Sequence, residues 1–189
     1  MAATKTKRKN LVVRMELAYT RPPIWRRIRV PSDIKLSQLH DVIQVVMGWD
    51  NSHLHRFIIQ RAIYEIPERG DVGPNKPKDE RKFALCDLLS QEGSQFTYEY
   101  DFGDNWQHDL LVEKIHPAEE GMLYPICLEG AGACPPEDVG GIPGHDHFLE
   151  AMADPNDPEH QDYRDWIGGP FDPEKFDLAR INQILRSIP

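Results

Sequence analysis

The chain has 189 residues, 40% hydrophobic and 28% charged, with a net charge of −9. That length suits one domain with a core of its own, and no apolar run approaches the ~20 residues of a membrane helix. Cys86, Cys127 and Cys134 are too few for a disulfide framework, and the basic start lacks an apolar stretch before Leu11, so a cytoplasmic protein is expected rather than a secreted or membrane one.

The charge is unevenly placed. Residues 1–61 carry 12 Lys/Arg against 4 Asp/Glu, and residues 118–177 carry 2 against 15. Two readings follow: the halves attract each other inside one fold, or the basic part meets a polyanion while the acidic part keeps the rest soluble.

In chain order, residues 1–9 read as a disordered basic arm and residues 10–189 as a single α+β domain. Leu11, Val13, Met15, Leu17 and Tyr19 alternate with other residues, which is strand periodicity. Pro22 and Pro23 break the ladder. Alternation resumes over 24–30, with Ile24, Arg26, Ile28 and Val30 on one face and Trp25, Arg27 and Arg29 on the other, so the two runs predict a hairpin. Leu36, Leu39, Ile43, Val46 and Met47 switch to helical spacing, with Ser32 or Asp33 as cap and Gly48 near the end. Strand alternation returns over 53–59 and 63–66. Residues 67–82 read as a polar loop, and residues 83–89 as a short helix with Cys86 as a small buried hydrophobe.

Residues 96–101 and 106–115 predict two further strands around a tight turn through Gly103 and Asn105. After Pro117 an irregular Gly/Pro segment is expected to residue 144, then helices near 145–152, 158–167 and 173–187. The series Tyr163, Trp166, Phe171 and Phe176 reads as the packing face of those helices. Mixed element order without regular alternation predicts a mostly antiparallel mixed sheet with the C-terminal helices packed on it.

Three stretches carry a resemblance. They are Ile24-Trp25-Arg26-Arg27 through Leu39-His40 to Gly48-Trp49 and His53-Leu54-His55-Arg56-Phe57; Tyr98-Glu99-Tyr100-Asp101-Phe102-Gly103-Asp104-Asn105-Trp106-Gln107-His108; and Ala133-Cys134-Pro135-Pro136-Glu137-Asp138-Val139-Gly140-Gly141. In this order, over nearly the whole chain, they resemble the plasmid pRiA open-reading-frame-three-like family, often labelled TnpR-like passenger proteins of insertion elements. The resemblance implies a hairpin-helix-strands α+β domain, loosely β-grasp-like, and a plasmid or mobile-element association. It supplies no catalytic residues. Some members read Cys-Pro-Pro-Glu-Asp-Cys-Gly-Gly, where this chain has Val139, which weakens a general zinc-thiolate role for the loop.

Several constellations can carry chemistry. His53 and His55, two apart on an expected strand, would share a face and could bind a metal, or be satisfied residues at the core edge. Asp101, Asp104, Trp106 and His108 surround one turn, where aspartates serve as oxygen ligands, as a general base, or as caps of backbone amides. Glu137 and Asp138 sit between stiffening prolines and turning glycines. Convergence of these segments would give a polar cluster of Asp101, Asp104, Trp106, His108, Glu137 and Asp138. Its expected metal ligands are His53, His55, Asp104, His108 and Cys134, suited to Zn²⁺, Mn²⁺ or Fe²⁺.

Trp25, Arg27 and Arg29 form the other candidate surface, able to grip phosphates and stack a base, or to pair with acidic side chains within the fold. The sequence therefore supports a binding module without established catalysis, whose partner is nucleic acid or another protein. The alternative is a metal-dependent hydrolase built on the His/Asp cluster.

Overall fold

The computed structural model describes residues 9–67, 76–119 and 125–188. Its strands are β1 (Lys9–Leu17), β2 (Trp25–Pro31), β3 (His55–Ile59), β4 (Ala62–Glu65), β5 (Lys78–Asp79), β6 (Gln95–Tyr100), β7 (Trp106–Pro117) and β8 (Ile126–Ala131). They form one eight-stranded sheet in the order β5-β4-β3-β6-β7-β1-β2-β8. Every pairing of these strands is antiparallel except β4 with β5. The helices are α1 (Leu36–Met47), α2 (Leu85–Leu88), α3 (Gly141–Ala153), α4 (His160–Ile167) and α5 (Leu178–Leu185). The expected α+β class, with helices packed on a mostly antiparallel mixed sheet, is what the chain adopts.

The predicted hairpin is the β1–β2 pair, in register from Asn10 opposite Pro31 to Glu16 opposite Trp25. Its period-2 pattern buries Leu11, Val13, Met15, Leu17, Ile28 and Val30 in one cluster with Leu39, Ile43 and Val46 of α1. Burying each such side chain contributes roughly 1.5–3 kcal/mol. That packing, rather than local propensity, fixes α1 on the sheet. Phe148 of α3 is fully buried and packs edge-on against Tyr163, Trp166 and Phe171, so three of the four aromatics expected to pack the C-terminal helices converge on one ring. Phe176 instead lies under the Arg26 guanidinium.

The structure corrects several sequence expectations. Neither Ser32 nor Asp33 is the cap residue of α1. The cap is Lys35, whose N–H donates to the Gln38 side chain. The approach of residues 34–36 is instead set by ladder bonds with residues 83–85, including Leu36 N–H to Phe83 O and Leu85 N–H to Ile34 O. Gly48, in left-handed conformation, does end the helix.

The third strand starts at His55, leaving His53 in the loop before it. Part of the polar stretch 67–82 is ordered, as β5 and a 3₁₀ turn over Glu80–Lys82, while residues 68–75 lie outside the described residues. The segment expected to be irregular contains β8, which pairs with β2 across a bulge between Arg27 and Ile28. Six residues without clean alternation gave no periodic signal for it. Cys86 is exposed, not buried, because the four-residue α2 turns it away from the core. Lys9 opens β1, and the rest of the expected basic arm lies outside the described residues. Among the described residues, no helix is long and apolar enough to cross a membrane.

Candidate metal centre

Three segments far apart in sequence meet where α1 hands the chain to β3. Trp49 is buried beyond α1 and donates its indole N–H to Pro135 O at 3.0 Å, tying the 134–140 loop to the helix end. Asp50 N–H donates to Glu137 Oε1 at 2.7 Å. The phenol of Tyr100, last residue of β6, accepts from Ser52 N–H at 2.9 Å and donates to Glu137 at 3.1 Å. Burial, with the Glu137 charge adding to it, pushes the Tyr100 phenol up to about 12, so it stays a proton donor to that carboxylate.

The turn after β6 is equally determined. Asp101, at φ 55°, accepts from Gly103 N–H through Oδ1 at 2.9 Å, and its carbonyl accepts from Asn105 N–H at 2.6 Å. The expected capping role of aspartate is thus met by one of its two oxygens. Asp104 accepts from Gly140 N–H at 3.0 Å and so pins the acidic loop. Only glycine suits position 141: φ is +66°, and a Cβ there would lie 2.5 Å from Asp104 O.

The result is a cluster around His53 Nε2. Asp138 Oδ1 lies 2.9 Å away, Glu137 Oε2 3.6 Å and Asp101 Oδ2 3.7 Å. Nε2 is shielded from solvent, yet it makes no hydrogen bond, although Asp138 Oδ1 lies within reach. Ligand atoms of His53, Asp101 and Asp138 all lie within 4.8 Å of one another. Metal–nitrogen and metal–oxygen bonds of about 2.0–2.2 Å could span such a gap. One imidazole with two or three carboxylates is a donor set for Zn²⁺, Mn²⁺ or Fe²⁺. Asp138 is exposed, which leaves the cluster open on one side.

The geometry divides the residues singled out in the sequence. His53, Asp101, Glu137 and Asp138 come together, and Asp104 supports them through the backbone. Trp106 and His108 share a face, as expected, but that face is the core. His108 is fully buried, edge-on to Trp49, with Nδ1–H donating to Trp106 O at 3.2 Å. Burial, less strongly opposed by its backbone hydrogen bonds, holds its imidazole down at about 4.

His55 points elsewhere: it stacks on His40 at 3.4 Å and bonds Glu80 at 3.0 Å. Burial pushes the Cys134 thiol well above its ordinary value, which disfavours a thiolate ligand, and its side chain packs against the core. Sequence reading missed Tyr100 and Glu80. Tyr100 continues the alternation of Phe96 and Tyr98, a signal that places it but says nothing of its hydroxyl. Glu80 fell in a stretch with no period at all.

The basic strand is internally neutralised. Arg27 bonds Glu113 at 2.6 Å and also pairs with Glu129, while Arg29 bonds Glu119 at 3.2 Å. Trp25 lies beneath Arg14 and Arg27, with guanidinium-to-ring distances of 4.8 and 5.4 Å. Two of those three glutamates belong to the acidic stretch beyond residue 117, as the reading of mutually attracting halves expects.

Comparison with known proteins agrees with the fold. The profile of the plasmid pRiA4b ORF-3-like proteins matches residues 9–180. The chain is 39% identical over 181 residues to the uncharacterized protein y4hQ of Sinorhizobium fredii, covering 94% of this chain and 92% of that one. It is also similar to the crystal structure of a protein of unknown function from Methanosarcina mazei Go1. That match has a TM-score of 0.82 and 38% identity over 94% of this chain and 98% of the other.

Proposed function

We propose that this chain, which belongs to the plasmid pRiA4b ORF-3-like family, is a divalent-metal-binding protein whose centre serves hydrolysis. The reading rests on one observation: a solvent-shielded imidazole nitrogen without a hydrogen bond, faced by oxygens of three carboxylates. His53, Asp101 and Asp138 would hold the ion. Glu137, oriented by Tyr100 O–H and Asp50 N–H, adds negative charge beside it. A metal bound there would lower the pKa of its water and polarise a substrate oxygen. The protein's own part is to fix Asp101 through Gly103 N–H, to keep Tyr100 protonated, and to leave the Asp138 side open.

The nucleic-acid reading is disfavoured by the same kind of accounting. Arg27 and Arg29 already face carboxylates, so binding a phosphate would first require breaking those pairs.

Isothermal titration of chelator-treated protein with Zn²⁺ and with Mn²⁺ tests the proposal. Saturable binding of one ion per chain is expected, weakened at least about tenfold by Asp138→Asn. A hundredfold excess over Kd should stabilise the fold by about 2.7 kcal/mol in thermal or urea unfolding. Binding that fails to saturate, or an Asp138→Asn variant that titrates like the wild type, would sink it.

A further inference from the structure

A cavity of about 290 Å³ opens between α1, the loop before β3, β4 and the 3₁₀ turn at Glu80–Lys82. His53 lies on its wall, so it adjoins the metal cluster without coinciding with it. Its least ordinary feature is Glu80, which lines the cavity and is fully buried. Glu80 Oε2 is bonded by His55 Nε2 at 3.0 Å, but Oε1 has no hydrogen-bond partner. A buried carboxylate oxygen left unsatisfied has lost its water without gaining a partner, so such an atom calls for a donor.

The surroundings define that donor. His55 stacks at 3.4 Å on His40, whose pKa burial and the neighbouring His55 lower to about 3, so the His40 ring stays neutral and brings no charge. The His40 nitrogens are engaged, with Nε2–H donating to Asn51 Oδ1 at 2.7 Å and Nδ1 accepting from the Tyr98 hydroxyl at 2.7 Å. Asp41, on the same wall, adds a second carboxylate, whose pKa burial raises and the neighbouring Glu80 raises further. Among the described residues lining the cavity there is no lysine or arginine, whereas Leu54, Ile66 and Phe102 give it an apolar rim with much of each side chain exposed. An unpartnered carboxylate oxygen beneath an apolar rim suits an organic cation better than a bare metal ion. The ammonium meets the carboxylate in a desolvated place, and the carbon skeleton covers the rim.

We infer that this cavity is a binding site for a small primary amine, whose ammonium donates to the free Oε1 of Glu80 while its apolar part lies against Leu54, Ile66 and Phe102. This inference does not depend on the metal reading, because Asp138 is not part of the cavity wall.

Benzylamine, with neutral benzyl alcohol and anionic benzoate as controls, probes it in amide-resolved NMR titrations of the full chain. Saturable shifts at Ser37, Asp41 and Leu54 are expected with benzylamine alone, and they should persist in Asp138→Asn. Glu80→Gln should weaken benzylamine by about tenfold and Asp41→Asn by about threefold. If Glu80→Gln does not fold, exposed Asp41 decides: a weakened complex supports the site, and an unchanged one overturns it. No saturable shift with benzylamine, or equal binding of benzyl alcohol, also overturns it.

Discussion

Replacing Arg26 by methionine is expected to destabilise the protein by about 3–5 kcal/mol. Arg26 lies on the inward face of β2 and is 2% exposed. Its guanidinium donates to four backbone carbonyls: Val46 O at 2.7 Å, Trp25 O at 2.9 Å, Ala131 O at 2.8 Å and Gly132 O at 2.9 Å. Phe176 packs on its face at 4.8 Å. One side chain thus joins the end of α1, strand β2 and the exit of β8. The helix end is also where the macrodipole favours a cation.

Buried ion pairs are often replaceable by apolar side chains at little cost, because both charges leave together. Here the acceptors are main-chain carbonyls that a substitution cannot remove, so methionine leaves them stranded. Lysine should recover only part of the loss, since an ammonium cannot reproduce the planar fork. Urea unfolding followed by tryptophan fluorescence measures the difference. A loss below about 1 kcal/mol would mean that the carbonyls find water instead.

Acid should unfold the protein well before general carboxylate protonation does. His40 and His108 are held neutral in the fold, down at about 3 and about 4, chiefly by burial. Arg26 adds repulsion at His108. In the unfolded chain both rings titrate near pH 6.5, so below that pH the unfolded state binds protons that the native state refuses. Stability is therefore intact above about pH 6.5 and falls as pH drops, toward about 4 for His108 and about 3 for His40, with roughly 3 kcal/mol lost for each ring by about pH 4.

Chemical unfolding at neutral and mildly acid pH reads this slope. His108→Phe should lose about 1 kcal/mol at neutral pH, from the stranded Trp106 carbonyl, yet show the flatter pH dependence. A variant with the wild-type slope would remove His108 from the account.

The sequence carried far into the fold, and the reasons are visible in particular residues. The Leu11–Leu17 alternation and the Leu36–Met47 spacing are strong periodic signals, and both formed the elements they predict. The strand β8 was illegible because its six residues lack a period, and pairing with β2 supplies what local propensity does not. The Glu80 turn was hidden for a similar reason: a run of charged residues reads as solvent-facing until something folds over it.

At the candidate centre, the residue types were legible but their partition was not. His53, Asp101, Glu137 and Asp138 were singled out together with His55, His108 and Cys134, because each is a chemically able side chain near a turn. Spacing of two residues put His53 and His55 on one face only if the strand included both. It begins at His55, so one imidazole meets carboxylates and the other meets Glu80.

By itself, then, the order of residues determined the class of fold, the core faces of the hairpin and first helix, the family, and the short list of reactive side chains. These follow from periodicity and local chemistry, which act over a few residues. Tertiary structure alone decided which of those side chains face one another, that the basic strand is neutralised by carboxylates of its own fold, that the inward-facing Arg26 finds four carbonyls, and that Glu80 is buried. Those outcomes depend on contacts between segments as much as 106 residues apart, such as Arg26 with Gly132. Only the assembled sheet and its packed helices bring such pairs within hydrogen-bonding distance, about 3 Å.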